Sequence, residues 1–115
     1  MTPLHSAHVL RAAARTLREG GWCQGTLRRG ESNCAYGAIL ANAGGIWDAI
    51  EVMNFLAGYL ELPPGPTVPC TVPVIHPIPQ WNDVKGRTKD QVIEAFEGCA
   101  ASLEPQVIHK ELVTA

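Results

Sequence analysis

Cys34, His76 and the pair Asn82–Asp83 are the residues whose types and order could carry out a reaction. Ser32-Asn33 reads as a capping pair, which places Cys34 at a helix N-terminus, where the dipole favours thiolate. His76 would then take the thiol proton, with Asn82 or Asp83 orienting the imidazole, the chain order of papain-like thiol hydrolases. This set defines the enzymatic alternative, a cysteine-dependent hydrolase or transferase. Two things weigh against it. His76 lies inside a proline run with no evident scaffold, and a triad is established by geometry rather than by order along the chain. No catalytic residue is favoured.

Other chemistry has less support. The four cysteines stand at 23, 34, 70 and 99, and no pair has the C-x₂₋₄-C spacing of a zinc knuckle. His5 and His8 are one helical turn apart, but no third or fourth ligand accompanies them, so no metal and no cofactor is assigned. Cys34 and Cys99 read better as small buried hydrophobes. The phosphate-binding patterns GxxxxGK[ST] and GxGxxG are absent, as are zinc-finger and RNP-type motifs.

The basic residues offer a contact surface instead. His8, Arg11, Arg15 and Arg18 recur at three- and four-residue spacing and line one helix face, and Arg28 and Arg29 follow in a turn. Residues 1–30 carry five arginines against Glu19, whereas residues 31–115 carry four basic and ten acidic side chains. Such a stripe is commonly a solvated face. Its functional readings are a dock for an acidic protein or, as a second alternative, for a nucleic acid backbone through Arg11, Arg15 and Arg18. A net charge of −2 gives no whole-chain argument for nucleic acid or anionic membrane.

The elements that must position these residues are mostly helical. Thr2-Pro3 opens a helix that runs to Arg18 and stops at Gly20-Gly21, burying Leu10, Ala13, Ala14 and Leu17. Trp22 folds the chain back, and turn glycines around Thr26–Glu31 predict a hairpin or irregular loop. Ser32 or Asn33 caps an uncharged second helix to Ala43, with Cys34, Gly37, Ala38 and Ala41 as a small-residue face. A third helix spans Ile46 to Leu60 or Glu61, its wet strip formed by Asp48, Glu51, Asn54 and Glu61. Residues 63–79 hold seven of the nine prolines and read as an extended crossing pinned by Val72, Val74 and Ile78, which is incompatible with helix. Trp81 is a second core anchor, and Asn82-Asp83 are turn residues. Thr88 and Gln91 form a capping box for the last helix, which ends near Leu103 before Pro105.

The expected architecture is therefore an all-α (predominantly α) compact four-helix domain over residues 1–104, with a proline-rich crossing at 63–80 and a C-terminal tail at 105–115. No leader pattern and no membrane-length apolar run is present, so a cytoplasmic protein with reduced thiols is expected.

The stretches GWCQG at 21–25, CAYGAI at 34–39, WND at 81–83 and RTKDQVI at 87–93 together resemble a known family. It comprises small proteins of unknown function from actinobacteria and their phages, marked by GWCQG, CA-x-GA, WND and a T-x-x-E-V helix. The resemblance covers roughly residues 4–103. Gln91 stands where glutamate is usual, and the long proline-rich crossing departs from the pattern. The resemblance implies a bacterial or phage accessory protein without an established activity, and the family motif has no histidine matching His76. Trp22, Cys23, Cys34, Trp81, Asn82, Asp83, Arg87 and Thr88 then read as a structural motif, with Gly20–Ala43 a folding hub and WND its counterpart. The leading expectation is a non-enzymatic interaction module that binds a host protein or self-associates, the latter through an exposed edge at residues 67–78.

Overall fold

Five helices and one short hairpin follow one another along the chain in a computed structural model, which describes residues 3–63 and 76–104. The first helix, α1 (Pro3–Gly20), turns its alanine-rich stripe inward, burying Ala7, Leu10, Ala13, Ala14 and Leu17. It ends where Gly21 adopts φ +100°, a backbone conformation that side-chain-bearing residues rarely take. Strands β1 (Arg28–Arg29) and β2 (Ser32–Asn33) pair antiparallel across the Gly30-Glu31 turn, Arg28 opposite Asn33. Of the hairpin or irregular loop expected between the turn glycines, the structure has the hairpin.

Helix α2 (Ala35–Asn42) starts at Cys34 rather than at Ser32 or Asn33, because those two residues are committed to strand pairing. Its small-residue face works differently from the expectation. Ala41 is exposed, and Gly37 lies against the backbone carbonyl of Leu27, on the hairpin approach rather than on another helix. Helix α3 (Ile46–Tyr59) buries Ala49, Ile50, Val52, Met53, Leu56 and Ala57. Asp48, expected in its wet strip, is buried. In the first turn of α3, its Oδ2 accepts from the Gly44 amide at 2.7 Å and pairs with His5 Nε2 at 2.8 Å, so it ties the start of α1 to the start of α3.

The largest departure is α4 (Pro77–Asn82), which begins inside the stretch read as incompatible with helix. Proline breaks a helix interior by lacking an N–H and by clashing with the preceding turn. Neither matters in a first turn, where N–H groups have no helical partner. Pro77 and Pro79 occupy that turn, and the buried His76 caps it. Helix α5 (Lys89–Leu103) begins with Thr88 and Gln91 in a reciprocal capping box and buries Val92, Ile93, Phe96, Cys99 and Ala100. The expectations for Cys70, Val72, Val74, the 67–75 part of the expected edge and the 105–115 tail lie outside the described residues, whereas residues 76–78 of that edge are the cap and first turn of α4, with His76 and Ile78 buried. The fold is thus mostly helical and compact, with one helix more than expected among the described residues and a two-stranded ladder.

Side chains from all five helices share one buried cluster. The α1–α5 pair is the most extensive contact, and an antiparallel charge ladder trims it: Arg11 reaches Glu104 and Arg18 reaches Glu97. Both pairs step by seven residues along their helices, two turns each. Lys89 Nζ also donates to the Arg18 carbonyl at the α1 C-terminus. Exposed pairs of this kind contribute only about 0.2–1 kcal/mol each, so they set register more than stability.

Burial alone would raise the Asp48 carboxyl, but the Gly44 amide and His5 outweigh it and hold the group below its ordinary range. A lowered folded-state pKa means that the stabilisation is complete at neutral pH and is lost as pH falls through that lowered value. Asp48→Asn is therefore expected to destabilise the fold at pH 7 by about 1–2 kcal/mol. It should also flatten the acid limb of a stability–pH profile measured by urea unfolding. An unchanged acid limb would remove Asp48 from the fold's acid sensitivity.

Candidate functional site

Asn82 is fully buried, and its side chain makes all four hydrogen bonds that a primary amide can make. Its Oδ1 accepts from Trp22 Nε1 at 2.6 Å and from the Ala35 amide at 2.9 Å. Its Nδ2 donates to the Cys23 carbonyl at 3.1 Å and to Asp83 Oδ1 at 2.9 Å. Two donors face one atom and two acceptors the other, which fixes the amide orientation. Around it, Gln24 Nε2 donates to the carbonyls of Asn82 and Val84, and the Gly25 amide donates to Asp83 Oδ1. Arg87 closes the far side, donating to the Trp81 carbonyl with its guanidinium 4.4 Å over the Trp81 ring. The WND stretch is therefore clamped to the GWCQG stretch, residue against residue.

The same junction caps α2. Ala35 contributes the first helical N–H and gives it to Asn82, while the Cys34 sulfur accepts from the Gly37 amide at 3.3 Å. A cavity of about 210 Å³ opens beside this cap, lined by Gly25, Thr26, Leu27, Cys34, Tyr36, Pro79 and Asp83. The loop after Trp22, the start of α2, Pro79 of α4 and Asp83 just after α4 thus contribute its walls. Tyr36 is 6% exposed, and its hydroxyl has no partner among the described residues. Burial raises the Tyr36 phenol, which keeps it neutral.

The structure brings Cys34 and Asp83 to one cavity and places His76 elsewhere. The His76 ring is wholly buried; its Nδ1 accepts from the Ile78 amide and its Nε2 meets Asn54 Oδ1 at 3.0 Å. That pattern fixes the tautomer with hydrogen on Nε2 and leaves neither nitrogen for a thiol. Burial also lowers its pKa, favouring the neutral ring. Asn82 faces Trp22, Ala35 and Cys23 rather than an imidazole. Burial raises the Cys34 thiol above its ordinary value, against the lowering pull of the Gly37 and Tyr36 amides. Cys23 is buried too, its sulfur 3.7 Å from the carbonyls of Thr26 and Ser32.

The candidate contact residues divide into two groups. Arg11 and Arg18 are paired with Glu104 and Glu97. His8 and Arg15 lie exposed on α1. Arg28 and Arg29 are exposed on the hairpin, and each donates to a backbone carbonyl, of Gly30 and of Gln24 respectively. Among the described residues neither has an acidic partner.

Tyr36, Gln24, Gly25, Leu27 and Pro79 were not singled out by sequence as site residues. Gln24, Gly25 and Tyr36 sit inside the GWCQG and CAYGAI stretches, so the motifs did carry the signal. Leu27 and Pro79 lie outside them and become wall residues only through the fold. The chain belongs to DUF6197, a family of unknown function, whose model matches residues 1–102. No curated protein and no solved structure matches it.

Asn82→Ala strands the Trp22 indole N–H, the Ala35 amide and the Cys23 carbonyl in a buried place. Orphaned buried groups cost about 1–3 kcal/mol each, so a total loss of about 3–5 kcal/mol is expected by urea unfolding at unchanged m-value. Asn82→Asp, although isosteric, should be at least as damaging, because a carboxylate oxygen would face the Cys23 carbonyl and Asp83. A near-native midpoint for either variant would show that the clamp is not what holds the two stretches together.

Proposed function

We propose that this member of DUF6197 is a non-enzymatic interaction module, a cytoplasmic accessory protein of actinobacterial or phage origin, which binds a protein of its host through the hairpin face around the Cys34 cavity. The observation that supports this reading is the make-up of that cavity. Its thiol is buried and held protonated, no histidine is among its described lining residues, and its mouth is bordered by exposed groups. Leu27 is 44% exposed, an apolar contact at the rim. Arg28 and Arg29 stand beside it with donors free beyond one backbone carbonyl each, suited to acidic side chains of a partner. Among the described residues no helix is long and apolar enough to cross a membrane.

Two measurements test the reading. A photo-crosslinking amino acid at Leu27 in the native host is expected to give discrete adducts of defined mass, and the same group at Glu94 on α5 is expected to give none. Arg28→Glu with Arg29→Glu should remove the Leu27 adducts while leaving thermal stability within about 0.5 kcal/mol, as for most surface substitutions. An adduct at twice the chain mass would move the reading to self-association. For the chemistry, iodoacetamide at pH 7 should alkylate Cys34 no faster than Cys99, whose thiol burial pushes up to about 11. Selective, fast alkylation of Cys34 would overturn the non-enzymatic reading.

A further inference from the structure

We infer that the cavity between the 25–27 loop, the start of α2, Pro79 and Asp83 is a receptor for a lysine side chain: a primary ammonium on an unbranched alkyl stem. The inference rests on the interaction-module reading and names what that surface takes.

Size is the first argument. Sites for drug-sized molecules occupy roughly 300–1,000 Å³, and this cavity of about 210 Å³ is open at one side. It suits one side chain better than a metabolite. The walls give the second argument. Leu27, Pro79 and the Tyr36 ring offer apolar surface along which a methylene stem can pack.

Polarity decides the head group. Among the described residues Asp83 is the only charged one in the lining. Its Oδ1 is anchored by the Gly25 amide and Asn82 Nδ2, which leaves Oδ2 without a partner among the described residues. Tyr36 stands in the same lining, and its hydroxyl is likewise without a partner among the described residues. An ammonium carries the charge that complements this carboxylate, and its three donors leave others for further oxygens of the lining. An anion would instead be repelled by Asp83, and a neutral alkyl chain would gain nothing from its charge. Outside the lining, Arg29 rests on the Gln24 carbonyl and Arg28 on that of Gly30. They favour acidic residues on either side of the captured lysine, so the partner segment is a lysine flanked by Asp or Glu.

The test is a titration of the full ¹⁵N-labelled chain with Nα-acetyl-lysine methylamide, followed by amide shifts. Saturable shifts at Gly25, Thr26 and Asp83 are expected, with a Kd on the order of 1 mM for so small a probe. Asp83→Asn keeps an oxygen for Gly25 and Asn82 but removes the charge, and should weaken binding about fivefold or more. Tyr36→Phe should weaken it about twofold or more, and the Nε-acetylated probe should not shift these amides at all. Should Asp83→Asn fail to fold, Tyr36→Phe and the acetylated probe still decide. A parallel arm uses n-butylamine. Saturation by butylamine without saturation by the lysine derivative would overturn the assignment to a partner's lysine in favour of a free amine. Equal binding of the acetylated probe, or no saturable shift from either amine, would overturn the ammonium site. Crosslinking at Leu27 is independent of these outcomes, so the two readings fail separately.

Discussion

The Asn82 side chain holds three segments that are remote in sequence: the chain after α1, the start of α2 and the end of α4. A buried amide with a missing partner is costly, whereas one with every partner in place is mildly favourable. The arrangement is therefore nearly all-or-none. Trp22, Cys23, Ala35 and Asp83 must all be in position before Asn82 can be buried without loss. That requirement makes the junction specific as well as stable, because a shift of one residue in either stretch would orphan several groups together.

From this constraint the surroundings follow. With Asn82 seated, Asp83 is brought to the Gly25 amide and Gln24 to the Asn82 and Val84 carbonyls. Pro79, one helical turn before Asp83, then forms a wall opposite Leu27 and Tyr36. The cavity is a consequence of the clamp: the polar side of the junction faces inward to Asn82, and the opening that remains has Leu27, Pro79, Cys34, Thr26, Tyr36 and Asp83 among its walls. Charge is partitioned in a similar way. The excess of arginine in the first thirty residues looked like one surface, yet Arg11 and Arg18 are held by glutamates of α5. Arg28 and Arg29 reach only backbone carbonyls. Position, not residue type, separates the structural cations from the ones available to a partner.

How much of this was legible in the sequence depended on whether the signal was local. Helices α1, α3 and α5 follow from apolar periodicity and from stop and cap signals such as Gly20-Gly21, Pro63 and Thr88–Gln91, all within a few residues of the structure they specify. Helix α4 was missed because proline was weighed as a breaker, while its tolerance depends on falling in a first turn, which could be known only by locating His76 as the cap. Asn82 was read as a turn residue because its partners Trp22 and Cys23 lie 60 and 59 residues away, and nothing adjacent to it reports burial. Asp48 misled for the same reason: its partner His5 is 43 residues distant. The seven-residue spacing of Arg11–Arg18 and of Glu97–Glu104 was visible, but its meaning required the antiparallel pairing of the two helices.

Cys34 shows how the same local sequence supports opposite chemistries. At a helix N-terminus a thiol is drawn toward thiolate by the amides it faces, and those amides, of Gly37 and Tyr36, are present here. Reactivity also needs a route for the proton and enough polarity to hold the charge that remains. Burial removes the second, and it is the larger effect on this thiol. His76, committed on both nitrogens to Ile78 and Asn54, cannot supply the first. The interaction that would have activated a nucleophile serves instead as a helix cap. What remains at the site is a thiol that caps α2 beside a small opening, with Tyr36 and Asp83 in the same lining.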